Sequence, residues 1–212
     1  YETERSQTIV AVLDTGRMMQ SPVGRIAKLD YAINATLLLS YVAAGVGDKV
    51  GLLSFAAEVQ HYVAPKHGRA QFYRILDELY AVEPRPVEPD YSRGLGYLAK
   101  KQRRRALIVL FTDITGGASM DIMVQHVQLL ARHSLPLVVT ISDPDIHHMA
   151  SRYPLDSAEM YEQVAASHIL QERRVTLERL RRQGVETLDT PANQLSPEVV
   201  SRYLELKRKG RI

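Results

Sequence analysis

The sequence predicts a three-layer α/β fold: a central, mostly parallel sheet with one antiparallel edge strand and helices on both faces. Three observations carry that prediction. Two apolar runs of strand length, residues 8–13 and 106–112, each close on an aspartate, Asp14 and Asp113. Continuous apolar runs are characteristic of strands buried on both faces. Helical stretches alternate with the later runs, as right-handed βαβ units require. Finally, two strand-like runs, 49–55 and 59–63, are separated only by Ala56-Ala57-Glu58, which makes them a hairpin and places an antiparallel strand at the sheet edge.

After the first strand, residues 28–44 read as a helix that is apolar around most of its circumference, hence a core helix, with Gly45 as its left-handed cap. The longest uncharged run, 31–47, contains Asn34, Thr36 and Ser40 and is short for a bilayer span, so it is read as buried. The hairpin follows, then a short helix over 71–79. Pro84, Pro86 and Pro89 exclude helix and central strand from 82–89, which must cross the surface as a loop. Asp90 can cap a helix over 91–101. Strand 106–112, helix 120–133 and strand 135–141 continue the alternation. The segment Asp143-Pro-Asp-Ile-His-His148 reads as a turn with an incidental histidine pair. Asp156, with Glu159 three positions on, opens a long helix that Gly184 closes; 185–188 is a short final strand; Ser196-Pro197-Glu198 supplies a cap and a first-turn proline to the last helix. Residues 1–212 read as one domain. The chain begins with Tyr1 and enters a strand within a few residues, which suggests a fragment of something longer.

Composition narrows the chemistry. With 45% hydrophobic residues, 212 residues suffice for one substantial core. A net charge of +3, from 27 basic and 24 acidic residues, is too small to demand an anionic partner. The absence of cysteine excludes disulfides, thiol catalysis and Cys-based zinc sites. No signal peptide is visible.

The carboxyl ends of strands where strand order reverses form the ligand crevice of open α/β sheets, which makes Asp14 and Asp113 candidates for one shared site. Enzyme readings of the pair are thin. A phosphatase with a nucleophilic Asp after its first strand needs a second Asp two residues on, and that residue is Gly16. Gly45-Val-Gly47-Asp-Lys-Val-Gly51 joins a helix to a strand, the reverse of a dinucleotide fingerprint, and no phosphate-binding loop or Gly-x-Ser-x-Gly elbow occurs.

Three segments stand in the order of a von Willebrand factor type A domain: Asp14-Thr-Gly-Arg-Met-Met19 after a central strand, Asp90-Tyr-Ser-Arg-Gly-Leu95 at a helix start, and Phe111-Thr-Asp113 after a later strand. The chain most closely resembles the bacterial family of such domains called domain of unknown function fifty-eight. That resemblance runs nearly end to end, through Leu195-Ser-Pro-Glu198 and Arg202-Tyr-Leu-Glu-Leu-Lys207. It implies a metal-ion-dependent adhesion site in which Asp-x-Ser-x-Ser, a Thr and an Asp bind Mg²⁺, whose open position accepts a partner's carboxylate. Magnesium needs near-octahedral oxygen coordination. Here Gly16 and Met18 stand in place of both serines and Pro89 in place of the threonine, leaving Asp14 and Asp113 as a vestigial metal pair. Tight Mg²⁺ binding is therefore disfavoured.

Thr15, Asp90 and Ser92 are the residues that could move in, although the Thr15 position normally points away and Asp90 and Ser92 serve equally as cap residues. Without a metal, carboxylates on adjacent strands, about 5 Å apart at the backbone, repel. One then keeps its proton or finds a cation, for which Arg17 is the nearest candidate. The ordinary reading is that both acids cap loops and accept backbone N–H groups. The sharper one is a degenerate adhesion site that still marks a partner-binding face. Met18, Met19 and Met120 suit an adaptable contact surface, or pack beneath the loops.

The resulting expectation is a non-enzymatic protein–protein interaction domain. Its face is built from loops 14–19, 89–93 and 113–119, with Asp14, Thr15, Gly16, Arg17, Met18, Asp90, Ser92 and Asp113 as contact residues. The resemblance implies a MoxR-type AAA+ ATPase as partner, a role in assembling or maturing other proteins, and a cytoplasmic domain of a bacterial protein anchored in the inner membrane. Two other classes stay open: a metal-dependent hydrolase using Asp14 and Asp113, and a basic adaptor for anionic lipid through residues 100–105 and 207–211. Nucleic acid is a poor fit, since neither basic run contains an aromatic for stacking.

Overall fold

The computed structural model describes residues 6–114 and 118–212. In chain order its elements are β1 (Thr8–Asp14), a 3₁₀ turn (Arg17–Gln20), β2 (Pro22–Val23), β3 (Ile26–Ala27), α1 (Lys28–Gly45), β4 (Lys49–Phe55), β5 (Val59–Lys66), α2 (Arg69–Tyr80), α3 (Tyr91–Lys101), β6 (Leu107–Phe111), α4 (Ala118–Ala131), β7 (Leu135–Ser142), α5 (Pro144–Ser151), α6 (Ser157–Arg182), β8 (Glu186–Pro191), a second 3₁₀ turn (Ala192–Gln194) and α7 (Leu195–Arg208).

The main sheet runs β5-β4-β1-β6-β7-β8. The β4–β5 pair is antiparallel and the other neighbours are parallel, so the predicted edge strand stands where the hairpin put it. From β1 the chain moves outward to β4 and β5, then returns to β6 on the other side. The order therefore reverses between β1 and β6, the strands that deliver Asp14 and Asp113.

Alternation along β1 explains the three layers. Ile9, Ala11 and Leu13 join one buried cluster, with residues of α1, α2 and α7. Val10 and Val12 join the other, with residues of α3, α4 and α6. Because both faces are covered, the strand reads as continuously apolar.

Local structure departs from expectation at several points. Helix α1 runs through Gly45, and the left-handed glycine is Gly47, at φ 83°. Gly184, at φ 78°, does close α6. Residues 143–148 are not a turn: Asp143 accepts the Asp145 N–H (2.9 Å) and caps α5, with Pro144 in the first turn where its missing N–H costs nothing. Ser196 is not a cap, because the preceding 3₁₀ turn leads into α7 two residues earlier, at Leu195, with Gln194 before it; Pro197 still falls in the first turn. The short β2–β3 hairpin had no sequence forecast. Asp90 and Asp156 do cap, accepting the N–H of Arg93 (2.9 Å) and Glu159 (2.8 Å). No helix among the described residues is long and apolar enough to cross a membrane.

Candidate functional site

At the switch point Leu13 lies beside Phe111, so Asp14 and Thr112 follow as neighbours on adjacent strands. Asp14 is buried, 2% exposed. Its Oδ1 accepts the Gly16 N–H (2.8 Å), and its Oδ2 lies 2.7 Å from Thr112 Oγ1 and 3.0 Å from the hydroxyl of Tyr91. Tyr91, the first residue of α3, is brought in by the Asp90 cap, and its hydroxyl lies 2.8 Å from Thr112 Oγ1.

Three oxygens thus form a closed triangle. Two hydroxyl protons can fill only two of its three edges; a proton on Asp14 fills the third. The electrostatics agree: the Asp14 pKa is raised from 3.8 to about 6, chiefly by burial, with the bonds from Thr112, Gly16 and Tyr91 opposing and the Asp113 charge adding to the rise. Burial, then the Asp14 charge, push the Tyr91 phenol well above its usual value.

Asp113 is satisfied differently. Lys28 Nζ donates to Oδ2 (2.8 Å) and Arg173 Nη1 donates to Oδ1 (3.0 Å), all three residues being buried. Arg173 also donates from Nη2 to Asp189 Oδ1 (2.7 Å) and to Thr140 Oγ1, tying α6 to β7, β8 and the end of β6. Burial works against the Arg173 charge, but the bond to Asp189 and the charges of Asp189 and Asp113 outweigh it and hold the guanidinium more firmly protonated.

These partners correct the expected cation. Arg17 forms an exposed ion pair with Glu88, and its N–H donates to Val87 O (2.9 Å). Lys28 and Arg173, which do the neutralising, were missed. Both left a signal. A lysine opening a helix opposes the macrodipole, whose N-terminus favours negative charge. Arg173 sits in the 3–4 spacing of the buried α6 stripe of Ala166, Leu177 and Leu180, where an apolar residue belongs.

The other expected residues divide. The Thr15 hydroxyl faces away, within 3.0 Å of both Phe55 O and Gln60 Oε1. Asp90 caps α3 and Ser92 is exposed; neither is among the partners of Asp14 or Asp113. Gly16 is tightly enclosed: a Cβ there would come within 2.8 Å of Pro89 Cδ and 3.0 Å of Val87 O. A side chain at position 16 is therefore excluded by the Pro89 ring. Met19 and Met120 are buried in the core, whereas Met18 is half-buried and reaches the rim. In the third loop, residues 115–117 lie outside the described residues.

Beside Asp113 opens a cavity of about 220 Å³ with Lys28, Asp113 and Arg173 at its polar end and Met18, Ile114 and Ile146 among its walls. The donor set does not fit Mg²⁺. Asp14 takes hydroxyl and amide donors at both oxygens and its pKa is raised to about 6 by burial, while Asp113 takes two cations. Among the described residues no group of three or more His, Asp or Glu is placed to hold a metal ion.

Comparison with known proteins bears on the fold and the family. An aerotolerance-related membrane protein from Bacteroides fragilis, carrying multiple mutations to serine, superposes with a TM-score of 0.62 at 12% identity, over 96% of this chain and 100% of that one. The conserved hypothetical protein BatB from Bacteroides thetaiotaomicron gives 0.61 at 10% identity, with the same coverages. A von Willebrand factor type A protein from Catenulispora acidiphila gives 0.53 at 11%, covering 93% of this chain and 42% of that one. Among curated proteins no sequence matches. The likenesses establish a von Willebrand factor type A-like fold, and a family model matches residues 1–186. The chain belongs to the family described as Protein of unknown function DUF58.

Proposed function

We propose that this chain is a non-enzymatic protein–protein interaction domain that receives a partner on the rim around Asp14 and Asp113 without a bridging metal. The observation that carries this reading is the rim cavity: an apolar-walled opening of about 220 Å³, large enough for a side chain, beside Asp113, whose charge is already neutralised from within. A partner meeting this rim contacts Arg17, Met18, Asp90 and Ser92 and presses an apolar group against Met18 and Ile146. A binding role is favoured over hydrolysis because Asp14 and Asp113 have protein donors on every carboxylate oxygen, leaving neither free for a substrate or an attacking water.

Our reading of the family makes the partner a MoxR-type AAA+ ATPase and the chain a cytoplasmic domain of a bacterial inner-membrane protein that assists assembly of other proteins. One of the structural neighbours is itself described as a membrane protein. Calorimetric titration of the purified ATPase tests this. Arg17→Glu, Asp90→Ala and Ile146→Asp should each weaken binding at least tenfold while leaving the melting temperature within a few degrees. Equal affinity in all three variants would remove this face.

A further inference from the structure

At the end of the molecule opposite the rim, two basic runs distant in sequence form one surface. Helix α3 starts at the rim and ends in Lys100-Lys101, followed by Arg103, Arg104 and Arg105 where β6 is about to begin; α7 leaves the rim end of β8 and finishes at Lys207, Arg208, Lys209 and Arg211. Arg105 Nη2 donates to Arg211 O (2.7 Å), joining the runs across 106 residues. Lys207, Lys209 and Arg211 pair with Asp48, Glu205 and Glu186. Lys100, Lys101, Arg103, Arg104 and Arg208 are exposed and have no ion-pair partner among the described residues, Lys101 lying over the Tyr97 ring.

Cations at helix C-termini complement the dipole, and a solvated face is their usual role. Charge polarisation raises this face above that role. The two runs hold nine cations, and the three acids that pair with them still leave six in excess, against 18 basic and 21 acidic residues in the rest of the chain. A chain of net +3 therefore concentrates its positive charge at one end.

We infer that this basic end is a docking face for an anionic lipid bilayer, a role independent of the rim. The charges sit on long flexible stems and extend over two helix ends, matching an extended anionic surface better than a single phosphate. The nearby cavity lined by Arg181, Arg202 and Arg211 also contains Glu186, which pairs with two of them and would repel a discrete phosphate. Nucleic acid would call for aromatics interleaved with the charge, and the runs contain none. Each cation near an anionic leaflet strengthens binding by roughly fivefold at moderate ionic strength, and the effect decays within a Debye length.

Sedimentation of the protein with phosphatidylglycerol–phosphatidylcholine vesicles tests the inference. Binding at 100 mM NaCl is expected, with loss on pure phosphatidylcholine and on raising NaCl to 500 mM. Arg103→Glu/Arg104→Glu/Arg208→Glu, whose side chains are exposed, should weaken binding at least tenfold without moving the melting temperature; Arg17→Glu on the rim should leave it unchanged. No binding to the anionic vesicles, or full binding by the triple variant, overturns the proposal. Complete competition by inorganic phosphate at matched ionic strength overturns it in favour of a discrete phosphate site, and tighter binding to a single-stranded oligonucleotide at the same salt overturns the lipid assignment.

Discussion

Lys28 Nζ lies 2.8 Å from Asp113 Oδ2, with the lysine 4% and the aspartate 4% exposed. A sequence-local oddity, a lysine opening an apolar helix, thereby becomes the counter-charge of an acid 85 residues away. Removing one partner of a buried pair strands the other charge, so Lys28→Met should destabilise by about 3 kcal/mol. Asp113→Asn in the same background should recover part of that loss. Urea melts of the double-mutant cycle check it: a coupling above about 1 kcal/mol is expected, nearly independent of salt because the pair is buried.

Asp14 gives a pH signature. Its carboxyl titrates at about 6 in the fold against 3.8 as its unperturbed value. Between those values the folded chain retains a proton that the unfolded chain has lost, so this contribution is fully present below the lower value and disappears as pH rises through the upper one. Asn keeps an oxygen for Gly16 N–H and offers donors to the triangle, as the protonated acid does. Asp14→Asn should therefore gain stability relative to wild type as pH rises from 4 to 7, by up to about 3 kcal/mol. Chemical melts at several pH values read the gap; a pH-independent gap contradicts the assignment.

The contact between Gly16 and Pro89 predicts coupling between substitutions at the two positions. Gly16→Ser drives a Cβ to 2.8 Å from Pro89 Cδ and should cost about 1–3 kcal/mol. Adding Pro89→Thr removes the obstructing ring and should return part of the cost. Additive melting shifts would refute the coupling.

Gly94 lets α3 approach the sheet closely enough for Tyr91 to reach Asp14. An added Cβ would lie 2.5 Å from the Phe55 ring, which is fully buried. Gly94→Ala should lower stability by at least about 1–3 kcal/mol and shift the Tyr91 and Thr112 resonances in NMR spectra.

The architecture was legible because it rests on pattern. Apolar runs closed by Asp14 and Asp113, the short connection after Phe55, the prolines of 82–89 and the Asp90 and Asp156 caps are local signals, and each holds in the fold. The switch point that brings Asp14 near Asp113 was legible as well. The site's internal chemistry was not. Lys28 and Arg173 reach Asp113 from elements 85 and 60 residues away in sequence, and Tyr91 enters the Asp14 triangle from 77 away. Arg17 was nearest along the chain, but its side chain turns outward to Glu88. The α5 helix was missed for the opposite reason: Asp143-Pro144 is equally a turn start and a helix start, and the contact that α5 makes with α6, where Gln163 Nε2 donates to Arg152 O (2.8 Å), leaves no local signal.

The central claim is that the rim meets its own hydrogen-bond and charge requirements, with amide and hydroxyl donors on Asp14 and two cations on Asp113. Thermal melting in 0 to 10 mM MgCl₂, at constant ionic strength and pH 7.5, tests it most directly. A site with a dissociation constant a hundredth of the final concentration would add about 2.7 kcal/mol of stability. The account predicts no shift in the wild type and a higher melting temperature for Asp14→Asn at every Mg²⁺ concentration. A Mg²⁺-dependent rise that Asp14→Asn abolishes would contradict it.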